Sequence, residues 1–380
     1  MCDPLGSGEE AEVNSLSHRE DSHHVSTTIS ALAVADKDAD FETTTIERRD
    51  LRPEDVRINI RYAGICHSDI HTVRNEWGGT KYPLTPGHEI IGDVVEVGDQ
   101  VTSHQVGDTV GVGCFVDSCL ECEACKDGEE MFCSKGVVQT YNSKGRDGAI
   151  TQGGYSRQIV VRDHFVVKIP DGVDLAATTP LLCAGITTYS PLKRFGVGQG
   201  TKVGVIGMGG LGHVAVKIAV ALGAEVNVFS RTSDKKDDAL EYGAKDFFAT
   251  KEDEGVFKNE AMKYDLLVNT VGSAVGLDDY LGLLGRGGTM VNLGAPEDDL
   301  SLAAFSIIPM RRSLAGSLVG GLQETQEMLD FCAEQGITAT IELIDAEKVD
   351  EYYDKVVDGS VRYRAVIDTD TFGEAPPKAS

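Results

Sequence analysis

Four cysteines stand at positions 119, 122, 125 and 133, in the spacing C-x2-C-x2-C-x7-C. Close cysteine pairs on a tight loop can converge as thiolates on one tetrahedral ion. Four thiolates leave no open coordination position, so Cys119, Cys122, Cys125 and Cys133 read as a structural zinc site. An iron–sulfur cluster is one alternative. Its C-x2-C-x2-C-x3-C-P run has a shorter last gap, and Ser134 stands here where proline would. Disulfides are the other alternative. Against them, the nine cysteines are odd in number, five lie between 114 and 133, and no secretory signal is present. That usage favours metal in a reducing, cytoplasmic compartment. Cys114 is the spare and reads as a packed or strand cysteine.

A second constellation is dispersed. GICHSDIH carries Cys66, PGHEIIG carries His88 and Glu89, and PLLCAGITTYSPL carries Cys183. One Cys, one His and another Cys would make a Cys2His zinc site whose fourth position is open to water or substrate. Spacing alone does not bring them together. Taken singly, each is more often a core cysteine or a satisfied histidine.

The string VGVIGMGGLGHVAV places Gly207, Gly209 and Gly212 in G-x-G-x-x-G spacing, after a strand and opening a helix. The first glycine permits the turn, the second lets backbone approach a pyrophosphate, and the third lets helix pack on strand. Exposed N–H groups and the helix dipole then hold the phosphates. The alternative is an ordinary tight strand-to-helix turn. A site for NAD usually ends the next strand with Asp or Glu, which accepts from the ribose 2′-hydroxyl. Here that strand ends in VFSRTSDKK, with Ser230, Arg231, Thr232, Lys235 and Lys236. Hydroxyls and cations suit a 2′-phosphate, so the expected cofactor is NADP(H). Read as a solvated loop, the same residues leave the missing acid unexplained.

These groups need a scaffold. From about Thr28 to Ile169 the chain reads as short strands broken by Gly and Asp, a compact and mostly antiparallel β domain. After about Thr178, buried strands alternate with helices: KVGVIG, EVNVFS, DLLVNTV, TMVNLG and SLAGSLV. That alternation predicts an α/β doubly wound parallel sheet. Two helices, LQETQEMLDFCAEQG and AEKVDEYYDKVVDG, then lead to a last strand, YRAVIDT. Length suits two domains, and 43 glycines fit many tight turns. The formal charge of −26 repels nucleic acid and anionic lipid. It also requires a locally electropositive site for an anionic cofactor. No run of 18 apolar residues predicts a membrane span. Residues 1–27 read as a flexible acidic tail, whose His18, His23 and His24 would at most bind stray metal.

Together the motifs resemble the zinc-containing medium-chain dehydrogenase/reductases, in the cinnamyl-alcohol-dehydrogenase-like branch. The strings GICHSDIH, YPLTPGHEIIG, CLECEACKDGEEMFC, PLLCAGITTYSPL, GMGGLGH and VRYRAVID carry the match, over roughly residues 30 to 372. The resemblance implies a GroES-like catalytic domain at 28–182, with a structural zinc lobe at about 114–135. A Rossmann domain at 183–320 and a return to the catalytic domain at 321–375 complete it. It implies two zinc ions per chain. The catalytic one falls to Cys66, His88 and Cys183, with Glu89 near or transiently on the metal. Ser68 matches the hydroxyl that takes the substrate proton, and His71 the residue that passes it to solvent. Asp69 matches the acid that orients His88. His67 matches a pyrophosphate contact and Thr187 a residue beside the nicotinamide. Gly210, Leu211, Thr270, Gly294 and Ser317 complete the expected cofactor contacts. Trp77, the only tryptophan, matches a substrate-pocket wall. On their own residues, Asp69 and Ser68 could equally be caps and Trp77 core.

The implied activity is hydride transfer between NADP(H) and small alcohols or aldehydes, favouring reduction of aromatic or medium-size aldehydes. A polyol or formaldehyde dehydrogenase on the same fold is the competing enzyme reading. PLLCAG and YPLTPGHE point instead to the aldehyde-reductase branch. A zinc-thiolate redox sensor is the non-enzyme reading. Relatives imply a homodimer joining Rossmann sheets edge to edge, with SLAGSLV and DDLSLAAFSI suited to that edge.

Overall fold

A computed structural model of the chain describes residues 26–296 and 299–373. The expected tail therefore lies outside the described residues except at its end, where Thr27 already starts a strand, Thr27–Ala33. His18, His23 and His24 fall outside as well.

Two sheets dominate. The first is built on the long strand Asp55–Ile65, DVRINIRYAGI, whose β-branched residues suit a pleated, half-buried surface. It pairs antiparallel with Ile90–Val97 on one side and Gln158–Arg162 on the other. The sheet order runs Ile341–Asp345, Arg364–Asp368, Asp55–Ile65, Ile90–Val97, Thr109–Val112, Val167–Lys168. Arg364–Asp368 lies antiparallel against Asp55–Ile65, so a strand near the C-terminus completes a sheet begun near the N-terminus. The strand Ile341–Asp345, which the sequence pattern did not reveal, pairs parallel with it.

The second sheet has six strands, all parallel to their neighbours: Asp246–Ala249, Glu225–Ser230, Lys202–Ile206, Tyr264–Asn269, Leu284–Asn292, Ser313–Gly316. Numbered along the chain this is the order 3-2-1-4-5-6, the dinucleotide-binding arrangement, with its topological switch between Lys202–Ile206 and Tyr264–Asn269. KVGVI and YDLLVN are buried almost throughout, as strands covered on both faces must be. Ligands bind such sheets beyond the carboxyl ends of the strands, at the switch. One hydrophobic core runs through both halves. Ile91, Val110 and Val112 of the first sheet share it with Leu182 and Ile186 of the connecting segment and with Val205 and Val214 of the second. Among the described residues no helix is long and apolar enough to cross a membrane.

Candidate metal centres and nucleotide cleft

The strand Asp55–Ile65 runs directly into a short helix, His67–Val73, with Cys66 as its N-cap. The apolar pattern did not reveal this helix, which entered only through the alternative reading of Ser68 as a cap. Asp69, fully buried in its first turn, accepts from Cys66 N–H at 3.0 Å and from Gly87 N–H at 3.2 Å. The same carboxylate lies 2.9 Å from His88 Nδ1. That contact fixes the imidazole with Nδ1–H toward the acid and turns Nε2 toward Cys183 Sγ at 3.3 Å. Cys183 stands between the turn Thr179–Leu182 and the helix Ala184–Arg194.

Three remote segments thus converge. One ligand atom each from Cys66, His88, Glu89 and Cys183 lies within 4.8 Å of the others, and all four residues are buried. Packed this closely the groups perturb one another, and the Cys183 thiol is pushed well above its ordinary value by hydrogen bonding with Cys114 and Cys66 and by burial. The Cys66 thiol is pulled well below its ordinary value by hydrogen bonding with Cys183, against its burial. Burial lowers His88, but Asp69 and the neighbouring thiols outweigh it and raise the imidazole. Glu89 is pushed up to about 7 by burial, against the pull of Arg364. Its Oε2 is buried without a hydrogen-bond partner. Two thiols, an imidazole and an orphaned carboxylate oxygen, dry and close together, form a donor set that fits zinc.

Arg364 holds the other side of Glu89. Its Nη2 donates to the Ile65 carbonyl at 2.9 Å and to Glu89 Oε1. Sequence reasoning quoted VRYRAVID but gave Arg364 no role. The two partners lie 275 residues apart, so no spacing signal exists. Cys114 packs against the core, as its reading as a packed cysteine expects, and its thiol is perturbed by Cys183 at the edge of this cluster. Gly64 is needed for room, since a Cβ there would collide with the Glu89 carboxylate.

Around the helix His67–Val73 the remaining candidates gather. Ser68 is half-buried in the first turn. The His71 ring is 6.2 Å from that of His67 and stacks on Trp77 at 4.8 Å. His71 Nδ1 is bonded to Glu76, a local i+5 pairing that sequence reading passed over. Trp77 is 52% exposed, which removes the core reading and leaves its ring available beside His71. Thr187 is buried one turn beyond Cys183, its N–H donating to the Cys183 carbonyl at 2.9 Å.

The second cysteine cluster lies on a separate loop. Ligand atoms of Cys119, Cys122, Cys125 and Cys133 also lie within 4.8 Å of one another. No disulfide joins the described cysteines. Backbone N–H groups donate to sulfur, Cys119 to Cys133 and Cys122 to Cys119, each at 3.4 Å. Hydrogen bonds from Cys125 and Ser134 backbone bring Cys122 down to about 5. Burial pushes Cys125 the other way, up to about 11, so it is the convergence of four sulfurs and the amides aimed at them that suit thiolates on a tetrahedral ion.

The Gly207–Gly212 turn lies beyond the carboxyl end of Lys202–Ile206, at the switch where a doubly wound sheet takes its ligand. Gly207 follows its strand with φ 91°, a conformation that L side chains rarely adopt. Open space surrounds the Gly209 Cβ position, whereas a Cβ on Gly212 would strike the Gly207 carbonyl and one on Gly210 would meet Arg364. Leu211 caps the helix Gly212–Ala221. Thr270 ties this turn to the next strand, its Oγ1 donating to the Ile206 carbonyl at 2.9 Å. Gly294 lies against the Val271 carbonyl, and Ser317 N–H donates to Asn292 at 3.4 Å. These groups all sit at carboxyl ends of parallel strands. Ser230 ends the second strand, Arg231, Thr232 and Lys235 follow in the loop, and Lys236 opens the helix Lys236–Glu241.

Comparison with known proteins agrees with this fold. Residues 52–171 match the alcohol dehydrogenase GroES-like domain, and 210–334 the zinc-binding dehydrogenase family. The chain is 57% identical to a probable formaldehyde dehydrogenase of Bacillus subtilis, covering 90% of this chain and 97% of that one. It is 52% identical to an NADP-dependent alcohol dehydrogenase C of Mycolicibacterium smegmatis, covering 90% and 98%. The cinnamyl alcohol dehydrogenase of Helicobacter pylori, solved with NADP(H), superposes with a TM-score of 0.86 at 43% identity, covering 93% of this chain and all of that one. The chain belongs to the zinc-containing medium-chain dehydrogenase/reductases, in their cinnamyl-alcohol-dehydrogenase-like branch.

Proposed function

We propose that this alcohol dehydrogenase holds two zinc ions per chain and transfers hydride between NADP(H) and small primary alcohols or aldehydes, favouring reduction of aromatic or medium-size aldehydes. The observation that carries the reading is the buried meeting of Cys66, His88 and Cys183 with Glu89, which Arg364 ties toward Gly210 of the glycine-rich turn.

When bound, zinc supplies a Lewis acid for the substrate oxygen and the nicotinamide supplies or accepts hydride. The chain's own groups do the rest. Cys66, His88 and Cys183 would hold the metal and leave one position for substrate. Glu89, restrained by Arg364, is poised to take that position between substrates. Asp69 fixes the tautomer and direction of His88. Ser68 exchanges a proton with the substrate oxygen, since a hydroxyl both donates and accepts. His71 passes the proton outward, with Glu76 and Trp77 setting its ring. Gly207, Gly209, Gly210, Leu211 and Gly212, with His67, cradle the pyrophosphate. Thr187, Thr270, Gly294 and Ser317 line the path to the nicotinamide, and Ser230, Arg231, Thr232, Lys235 and Lys236 take the 2′-phosphate. Cys119, Cys122, Cys125 and Cys133 would hold the structural ion. A homodimer across the edge strand Ser313–Gly316 is supported by its single pairing and by exposed Phe305, Ile308 and Leu318 nearby.

The test is a steady-state panel of aldehydes, including cinnamaldehyde, benzaldehyde and formaldehyde, with NADPH and with NADH. Formaldehyde belongs there because a relative so named shares 57% identity. Charge-assisted bonds to the 2′-phosphate predict kcat/KM at least about tenfold higher with NADPH. Aromatic aldehydes should exceed formaldehyde. Turnover of no aldehyde by zinc-loaded protein would defeat the reading, and preference for formaldehyde would reverse its substrate half.

A further inference from the structure

Beyond the strand Glu225–Ser230, positive charge gathers from two distant parts of the chain. Arg231 and Lys235 come from the loop that follows the strand. Arg362 comes from the segment entering Arg364–Asp368, in the other sheet. Its Nη2 lies 3.2 Å from Asp234 Oδ2 and its Nε 4.0 Å from Asp238. The remaining oxygen of Asp234 accepts from the Thr232 hydroxyl, and Asp238 accepts from the Tyr363 hydroxyl. Lys235 Nζ stands 5.5 Å from the centre of the Tyr363 ring. Burial, then the positive charges of Arg362 and Arg231, lower its pKa, with Asp234 opposing them.

Two features set this group apart from ordinary surface charge. The chain holds 61 acidic residues against 35 Lys and Arg, yet Arg231 and Lys235 form no ion pair among the described residues. Lys235 feels Asp234 and Asp238 without closing an ion pair on either, and cations not locked in ion pairs in so acidic a protein are available to an incoming anion. Second, Asp234 is held by a hydroxyl and a guanidinium, the donor pair that a phosphate monoester accepts from.

We propose that Arg362 is a further specificity-determining residue, reaching from the catalytic half onto the 2′-phosphate of NADP, with Asp234 as a resident stand-in anion that the phosphate displaces. This rests on the NADP reading above. The phosphate would then tie the returning segment to the nucleotide domain. Arg362 lies two residues before Arg364, which grips Glu89, so one short stretch of chain joins the adenosine end of the cofactor to the metal pocket. A surface pair whose only work is local packing would contribute little to stability and nothing to cofactor choice.

The experiment measures binding of NADPH, NADH, adenosine 2′,5′-bisphosphate and 5′-AMP to the zinc-loaded full chain by calorimetry. Loss of one charge-assisted contact predicts that Arg362→Gln weakens NADPH and the bisphosphate about tenfold, with NADH and 5′-AMP changed less than about twofold. Arg362→Lys should retain part of the preference. Asp234→Asn should tighten NADPH about threefold by removing the competitor. Equal weakening of all four ligands by Arg362→Gln, or of none, overturns the proposal. Selective weakening of NADPH by Asp234→Asn overturns the stand-in role. A wild-type chain with no preference for the 2′-phosphate overturns the NADP reading itself, whatever Arg362 does.

Discussion

Asp69 satisfies three donors with one carboxylate: the N–H of Cys66, the N–H of Gly87 and Nδ1 of His88. An amide in its place would turn an N–H toward one of them. Asp69→Asn is therefore expected to lower affinity for the buried zinc by about 10–100-fold, measured by competition with a chromogenic chelator. The four-cysteine site should be untouched, and no loss at the buried site, or the same loss at both, would contradict the role given to Asp69. Individual ligands were legible only through the strings around them. Cys66, His88 and Cys183 are too far apart in sequence for spacing to join them. Arg364 and Glu76 acquire their meaning from contacts, so no residue type announced them. The Cys119–Cys133 run was legible from spacing alone, because its loop is short enough to hold all four sulfurs together.

The parallel strands were readable as elements because burial on both faces leaves near-continuous apolar runs. Asp246–Ala249 and Ile341–Asp345 escaped notice for being short and carrying acidic residues. The helix His67–Val73 escaped because its seven polar-rich residues show no apolar period. The turn Gly207–Gly212 is the element with least tolerance. Gly212 opens its helix with no room for a methyl group, so Gly212→Ala must displace the Gly207 carbonyl. Overpacking of this kind costs about 1–3 kcal/mol. Here it would fall on the phosphate-binding backbone, so NADPH affinity should drop by at least about tenfold while zinc content stays at the wild-type level. Calorimetric titration with parallel metal analysis checks both. Unchanged NADPH binding would show that the turn does not carry the pyrophosphate.

At the scale of the whole molecule, a charge of −26 keeps copies apart, so any self-association must rest on apolar surface. The exposed Phe305, Ile308 and Leu318 lie beside a sheet edge with an open row of backbone groups. Light scattering should give a dimer for the wild-type chain and a monomer for Phe305→Asp. A wild-type monomer would refute the edge-to-edge reading. The double architecture was legible from the switch between alternating strands and strand–helix repeats. The closing of the first sheet by a strand near the chain's end was not, since pairing between Asp55–Ile65 and Arg364–Asp368 leaves no local pattern. That closure places Arg364 against Glu89, beside the pocket that Cys66, His88 and Cys183 form. Anomalous diffraction at the zinc edge from crystals of the intact chain tests the metal reading of that pocket most directly. Two peaks are expected, one at about 2.3 Å from Cys66 and Cys183 Sγ and about 2.0 Å from His88 Nε2, the other among the four clustered cysteines. A single peak confined to the cysteine-rich loop, in protein that still reduces aldehydes, would contradict the account.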